Sequence, residues 1–106
     1  MIKIRRVFAD LPLTGGDHCQ MHYRRAGVGA LPDGTDALLL LHASPTSSRQ
    51  MARMIGDCAA YGRVVAPDTP GNGDSDPLAG EATTVADLAR AMLALFDALA
   101  VERVRI

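Results

Sequence analysis

Apolar and polar positions nearly alternate at the start of the chain. The apolar residues between Ile2 and Phe8 are separated by lysine and arginine, a period of about two that predicts a first β-strand. Residues 10–17 contain a proline and two glycines and predict a turn. Looser alternation from His18 to Arg25 predicts a second strand that pairs with the first.

Two continuous apolar runs follow, from Ala37 to Leu41 and within Arg63 to Pro67. An unbroken run of this length is typical of a strand that helices cover on both faces. Between the runs, Ser47 or Ser48 is positioned to cap a helix that ends near Gly62. Apolar residues recur along that helix at helical spacing, namely Met51, Met54, Ile55 and Cys58.

A second helix is predicted after Thr84, because Thr84-x-x-Asp87 resembles a capping box with Asp at its last position. Its apolar residues form one stripe: Val85, Leu88, Met92, Leu95, Phe96 and Leu99. Residues 101–106 then predict a short strand. The element order ββ-β-α-β-α-β predicts an α/β fold, in which an antiparallel strand pair precedes a βαβαβ parallel sheet with two helices.

The composition is that of one globular domain. Of the 106 residues, 48% are hydrophobic and 22% are charged, and the formal net charge is −1. This balance argues against disorder and gives no electrostatic basis for nucleic-acid binding. No apolar run is long enough to span a membrane. The basic residues of the first two strands are predicted to face solvent: Lys3, Arg5, Arg6, Arg24 and Arg25.

The two cysteines, Cys19 and Cys58, match no metal-binding or redox spacing and are predicted to be reduced thiols. The start of the chain lacks the apolar run of a secretory signal. These two features together favour a cytoplasmic location. No motif in the sequence requires a cofactor or a metal ion.

Two motifs stand at the ends of the apolar runs. His42-Ala43-Ser44-Pro45 follows the first run, and Asp68-x-Pro70-Gly71-x-Gly73-x-Ser75 follows the second. Pro45 disfavours helical geometry at Ser44, so the first motif predicts a sharp turn with exposed backbone N–H groups. In the second motif, the glycines allow a tight reversal and the Asp68 carboxylate can accept N–H bonds across it.

In this order and at this spacing, the two motifs resemble the front half of an α/β-hydrolase, and the resemblance covers essentially the whole chain. It implies that the Ser44 backbone N–H is an oxyanion-hole donor and that His42 braces the turn without transferring protons. The family's motif is His-Gly-x-Pro, so Ala43 replaces a glycine. Either the turn uses ordinary dihedral angles here or its shape differs slightly. The Ser44–Pro45 bond is a candidate for the cis form.

The resemblance also implies what lies outside the chain. The family's nucleophile elbow is expected about 4 residues beyond Ile106, with the acid and the catalytic His later still. Residues 1–106 are therefore expected to be a single incomplete domain that is inactive alone. The parent enzyme is expected to hydrolyse an ester, epoxide, carbon–halogen or similar bond of a small-molecule substrate.

Two other classes of function are considered. One alternative hypothesis is that the chain is a stand-alone α/β interaction module that completes its sheet with a partner chain. A nucleotide-binding Rossmann domain is a weaker hypothesis, because the glycine fingerprint of that fold is missing. Ser44 is a poor candidate for a nucleophile, since it lacks a Gly-x-Ser-x-Gly frame.

Three ligand-binding interpretations are also weak. Gly71-Asn72-Gly73 is an incomplete phosphate loop, and the nearby Asp74 and Asp76 would repel a phosphate. Those two carboxylates lack the other ligands of a calcium loop. His18, Cys19 and His22 do not form a zinc site, because Cys19 on a strand points away from the histidines. Both histidines are predicted to face solvent.

The last predicted strand generates a testable expectation. A strand over residues 103–106 is expected to form a free sheet edge with unpaired backbone groups, which favours self-association. We expect the 106-residue chain to be marginally stable and to associate, as measured by calorimetry and size-exclusion chromatography. A monomer that unfolds cooperatively well above about 60 °C would contradict this expectation.

Overall fold

A computed structural model describes residues 2–13, 16–79 and 83–106. A short 3-10 turn, Ser48–Met51, leads directly into the first helix. The elements in chain order are β1 (Arg5–Pro12), β2 (His18–Ala26), β3 (Ala37–Leu39), α1 (Ala52–Ala59), β4 (Val64–Pro67), α2 (Val85–Leu99) and β5 (Val104–Arg105). The predicted number, type and order of elements are therefore confirmed.

The strands form one mixed sheet in the order β1-β2-β4-β3-β5. β1 and β2 pair antiparallel, and β2 pairs antiparallel with β4. β3 lies parallel to both β4 and β5. This topology confirms the predicted fold class, an antiparallel strand pair joined to a parallel βαβαβ unit.

Each face of the sheet is covered by one helix. α2 packs through Met92 and Leu95 on a core that contains Leu11, Met21 and Val65. α1 packs through Ile55 and Ala59 on the opposite face, against Leu40, Val64 and Ala66. Because β4 is covered on both sides, all four of its residues are buried, as its continuous apolar run predicts.

Two residues of the predicted apolar stripes are exposed. Val85 is 83% exposed, because it is the first residue of α2 and precedes the turn that reaches the sheet. Met54 is 50% exposed. The buried residues of α1 are Ile55 and Ala59, so the face of the helix that contacts the sheet is centred on these two residues, and Met54 lies beside it.

Element boundaries also differ from the prediction at two strands. β1 continues through Asp10 to Pro12, within the segment predicted to be a turn, and Pro12 pairs with His18. An edge strand tolerates a proline because the missing N–H can face solvent. β3 ends at Leu39, since the chain turns outward and leaves Leu41 43% exposed.

The ends of α2 are closed by local hydrogen bonds. The predicted capping box is confirmed: Thr84 Oγ1 accepts from Asp87 N at 3.1 Å, and Asp87 Oδ2 accepts from Thr84 N at 2.9 Å. At the other end Ala100 adopts a left-handed conformation with φ of 55°. Within the described ranges, neither helix is long and apolar enough to cross a membrane.

Candidate functional site

The two sequence motifs meet at one edge of the sheet. β3 and β4 are parallel neighbours, so the segments that follow their carboxyl ends lie side by side. In α/β folds this edge is where ligands bind. The structure therefore brings His42–Pro45 next to the loop that begins at Asp68.

His42 connects the two motifs. Its side chain is buried, and its Nε2 accepts a hydrogen bond from the backbone N–H of Thr69 at 3.0 Å. An Nε2 that accepts is unprotonated, so the neutral ring carries its proton on Nδ1. Nδ1 then donates to the carbonyl oxygen of Ala43 at 2.9 Å. Both ring nitrogens are thus engaged within the turn.

The peptide group between Ala43 and Ser44 is held from its carbonyl side. Besides the His42 bond, Ala43 O accepts from Thr46 N at 2.9 Å and from the Thr46 hydroxyl. In a trans peptide the C=O and the following N–H point in opposite directions. The N–H of Ser44 therefore points away from His42 and Thr46, and Ser44 is exposed. None of the hydrogen bonds between described residues uses this N–H.

The backbone of the turn resolves the question raised by Ala43. Among the described residues other than glycine, Ala100 alone has a positive φ, so Ala43 uses an ordinary dihedral angle. Alanine adopts such an angle without steric cost, unlike a left-handed one. The Ser44–Pro45 peptide bond, a candidate for the cis form in the sequence, is cis.

The Asp68 carboxylate fixes the second motif. Its Oδ1 accepts from the backbone N–H of Ser48 at 2.7 Å and from the Ser48 hydroxyl at 2.5 Å. Its Oδ2 accepts from Asp74 N and from His22 Nδ1, both at 2.9 Å. The bond from Asp74 confirms that Asp68 spans its own loop. The bonds from Ser48 and His22 were not predicted, and they join the loop to the 3-10 turn and to β2.

Burial and hydrogen bonding act on Asp68 in opposite directions. Burial alone raises the pKa of a carboxyl group, because it disfavours the charged form. The hydrogen bonds from Ser48, Asp74 and His22 stabilise the carboxylate more strongly and lower the pKa of Asp68 to about 2. The Arg24 guanidinium lies 3.8 Å from Oδ1. Asp68 is therefore a fully ionised, buried structural anion near neutral pH.

Two positions in the Asp68 loop depend on small residues. Gly73 has a φ of +51°, and a Cβ there would lie 2.2 Å from Asp68 Oδ2, so only glycine fits. The Ser75 hydroxyl donates to Asp68 O at 2.7 Å and accepts from His22 N at 2.9 Å. The motif residues Asp68, Gly73 and Ser75 thus form one compact unit against β2.

The prediction that His22 faces solvent is wrong. The residue is 1% exposed, because the loop from Asp68 to Ser75 covers its face of β2. Arg24 is on the same face and is also largely covered; its guanidinium donates to the Ser48 hydroxyl at 2.6 Å. Alternation on β2 showed which residues share a face, but no sequence signal identified the loop that covers it.

The other candidate ligand residues do not assemble into a zinc site. His18 is exposed beside Asp10, with 3.7 Å between Nδ1 and Oδ1, and Cys19 is buried on the opposite face of β2. A different group, His22, Asp68 and Asp74, places potential ligand atoms within 4.8 Å of one another. Each oxygen of the Asp68 carboxylate already accepts two hydrogen bonds from groups of the protein. The cluster is therefore an internal hydrogen-bond network.

The chain is similar to several known proteins. No protein-family model matches the chain. An uncharacterised hydrolase from Saccharomyces cerevisiae is 31% identical over 87 residues, which are 82% of this chain and 29% of the yeast protein. An epoxide hydrolase from Vigna radiata superposes with a TM-score of 0.77 at 27% identity, over 95% of this chain and 30% of that enzyme. A haloalkane dehalogenase from Agrobacterium tumefaciens C58 superposes with a TM-score of 0.70 at 30% identity, over 93% of this chain and 31% of that enzyme.

These relatives are hydrolases, and two of them are solved α/β structures whose fold this chain shares along nearly its whole length. The chain belongs to the α/β-hydrolase fold family and corresponds to its N-terminal portion. It spans less than a third of the length of each of these relatives.

The Asp68 network predicts a specific dependence of stability on acid. An unfolded aspartate has a pKa near 3.9 and folded Asp68 has one of about 2, so the carboxylate stabilises the fold fully above about pH 4. This contribution, on the order of 2 kcal/mol, is lost as the pH falls through 2. We expect Asp68→Asn to lower the free energy of unfolding at pH 7 by about 3 kcal/mol.

Chemical denaturation at pH 2–7 measures this effect, with the exposed Asp57→Asn as the matched control. The difference between Asp68→Asn and the wild type should shrink as the pH falls from 4 towards 2. A difference that stays constant across this range would contradict the proposed state of Asp68.

Proposed function

We propose that the His42–Pro45 turn provides one donor of a hydrolase oxyanion hole, with the Ser44 backbone N–H as that donor. The observation that carries the proposal is the orientation of the Ala43–Ser44 peptide. Three donors hold its carbonyl oxygen inside the turn, so its N–H projects outward at the ligand-binding edge of the sheet. A donor fixed in this way needs little reorganisation when negative charge develops on a reacting oxygen.

His42 has a positioning role in this proposal. Its Nδ1 proton is donated to Ala43 O and its Nε2 lone pair is directed at Thr69, so neither nitrogen faces a substrate. General acid–base catalysis requires a group within hydrogen-bond reach of the proton it transfers. His42 therefore orients the turn rather than moving protons.

The reaction that we assign to the whole enzyme is nucleophile-driven hydrolysis of an ester, epoxide, carbon–halogen or similar bond. The epoxide hydrolase and dehalogenase relatives support the epoxide and the carbon–halogen bond within this range. The 106-residue sequence contains no Gly-x-Ser-x-Gly frame. We therefore assign to this chain the oxyanion turn and its supporting loop, and the nucleophile to a segment that follows in the parent fold.

A chimera tests the role of the Ser44 N–H. Residues 1–106 replace the matched segment of the Vigna radiata epoxide hydrolase, and epoxide hydrolysis is followed with Ser44→Pro and Ser44→Ala. Proline removes the backbone N–H, whereas alanine removes only the hydroxyl and is the matched control. We expect Ser44→Pro to lower kcat about 100-fold and Ser44→Ala to change it less than about threefold.

Thermal melting of both variants establishes that the chimera remains folded. A folded Ser44→Pro chimera that retains kcat would contradict the assignment of the donor. A large loss in Ser44→Ala would instead indicate that the hydroxyl takes part in the reaction. The isolated 106-residue chain should give neither a burst nor turnover with an activated ester.

A second function is completion of the sheet by a partner chain, and the position of β5 favours it. Among the described strands, β5 lies at the sheet edge and pairs only with β3. The neighbouring Ile106 is 82% exposed. An edge of this kind can pair with a strand from a second copy. Crosslinking distinguishes the symmetric dimer that this function requires from random aggregation.

A further inference from the structure

The loop that begins at Asp68 also contacts His42 through side chains, in addition to the hydrogen bond from the Thr69 backbone N–H. The Thr69 hydroxyl lies 3.2 Å from His42 Nε2, and the Asn72 side-chain amide donates to Thr69 Oγ1 at 2.7 Å. Thr69 and Asn72 are both half-buried. The Asn72–Thr69–His42 network therefore lies behind the turn, on the side opposite the Ser44 N–H.

The hydrogen bonds of this network have one consistent direction. Asn72 Nδ2 can only donate, so the lone pairs of Thr69 Oγ1 receive it and the hydroxyl proton remains available for His42 Nε2. The N–H and the hydroxyl of Thr69 then share the single lone pair of that nitrogen, at 3.0 and 3.2 Å. The arrangement requires the tautomer in which Nδ1 carries the proton, which is the form that donates to Ala43 O.

The backbone of the loop builds the network. The N–H of Asn72 donates to Thr69 O at 2.9 Å, and Gly71 has a φ of +83°. A turn with proline second and a glycine of positive φ third is type II, as the sequence Thr69-Pro70-Gly71-Asn72 provides. This turn folds Asn72 back over Thr69, so both side chains reach the same side of the loop.

We propose that Thr69 and Asn72 are positioning residues. The Thr69 hydroxyl, oriented by Asn72, adds to the Thr69 N–H in holding His42 in its Nδ1–H tautomer and thereby fixes the direction of the Ser44 N–H. The inference rests on the proposed function, because it explains how the oxyanion donor is kept in place. Thr69 and Asn72 touch neither a substrate nor a reacting atom in this account. They act on the turn only through the ring of His42.

The test is ¹⁵N NMR of the histidine rings in the 106-residue chain. We expect wild-type His42 to show the Nδ1–H tautomer. Thr69→Val retains the backbone N–H and the side-chain shape but lacks the hydroxyl. It should move the Nε2 resonance of His42 towards that of an unbonded nitrogen and shift the Ser44 amide signal. Thr69→Ser should restore both signals, which a purely structural role of the methyl group would not produce.

Two further variants complete the experiment. Asn72→Ala should move the His42 Nε2 resonance in the same direction but by less, since it removes only the donor to Thr69. Thr83→Val changes an exposed threonine outside the network and should leave His42 unaffected. These ring signals can be recorded from sedimented protein as well as from solution, so association of the chain does not prevent the measurement.

Two results would overturn the inference: an Nε2–H tautomer in the wild type, or identical His42 signals in the wild type and Thr69→Val. Neither readout involves turnover. Failure of the network is therefore distinguishable from failure of the proposed function, which is judged by kcat of the Ser44 variants.

Discussion

The buried carboxylate of Asp68 accepts hydrogen bonds from three segments, two of which are distant along the chain. They are β2 through His22, the 3-10 turn through Ser48, and its own loop through Asp74. A buried charge is tolerable only when such donors replace its hydration, and here they also lower the pKa of the group. These bonds fix the position of the loop relative to the sheet, so that the N–H of Thr69 donates to His42. The geometry of the His42–Pro45 turn, the proposed oxyanion turn, depends on this placement.

From Thr69 onward, hydrogen bonds connect the Asp68 loop to the His42–Pro45 turn. His42 accepts on one nitrogen and donates on the other, so the loop and the turn are joined by a single ring of defined tautomer. Ala43 then presents its carbonyl oxygen inward, and the peptide geometry directs the next N–H outward. The catalytic contribution that we propose is a backbone group, and the surrounding side chains serve to orient it.

The sequence predicted the order of the elements, the antiparallel first pair followed by a parallel unit, and the turn at His42, because strand periodicity and Pro45 are local signals. It also predicted that Asp68 would bond within its loop. It did not predict the burial of His22, whose partner Asp68 lies 46 positions away. Alternation along β2 shows which residues share a face of the strand. Whether the His22 face is covered depends on the path of the loop from Asp68 to Ser75. Met54 was misassigned for a different reason, since the buried face of α1 is centred on Ile55 and Ala59 and the predicted stripe did not include Ala59.

The central claim is that Asp68 and His42 together hold the Ala43–Ser44 peptide with its N–H outward. Amide hydrogen exchange tests it most directly at three neighbouring positions. The account predicts slow exchange at Thr69 and Thr46, whose N–H groups are bonded to His42 Nε2 and Ala43 O, and fast exchange at Ser44. Protection of Ser44, or exchange at Thr69 as fast as at Ser44, would contradict it.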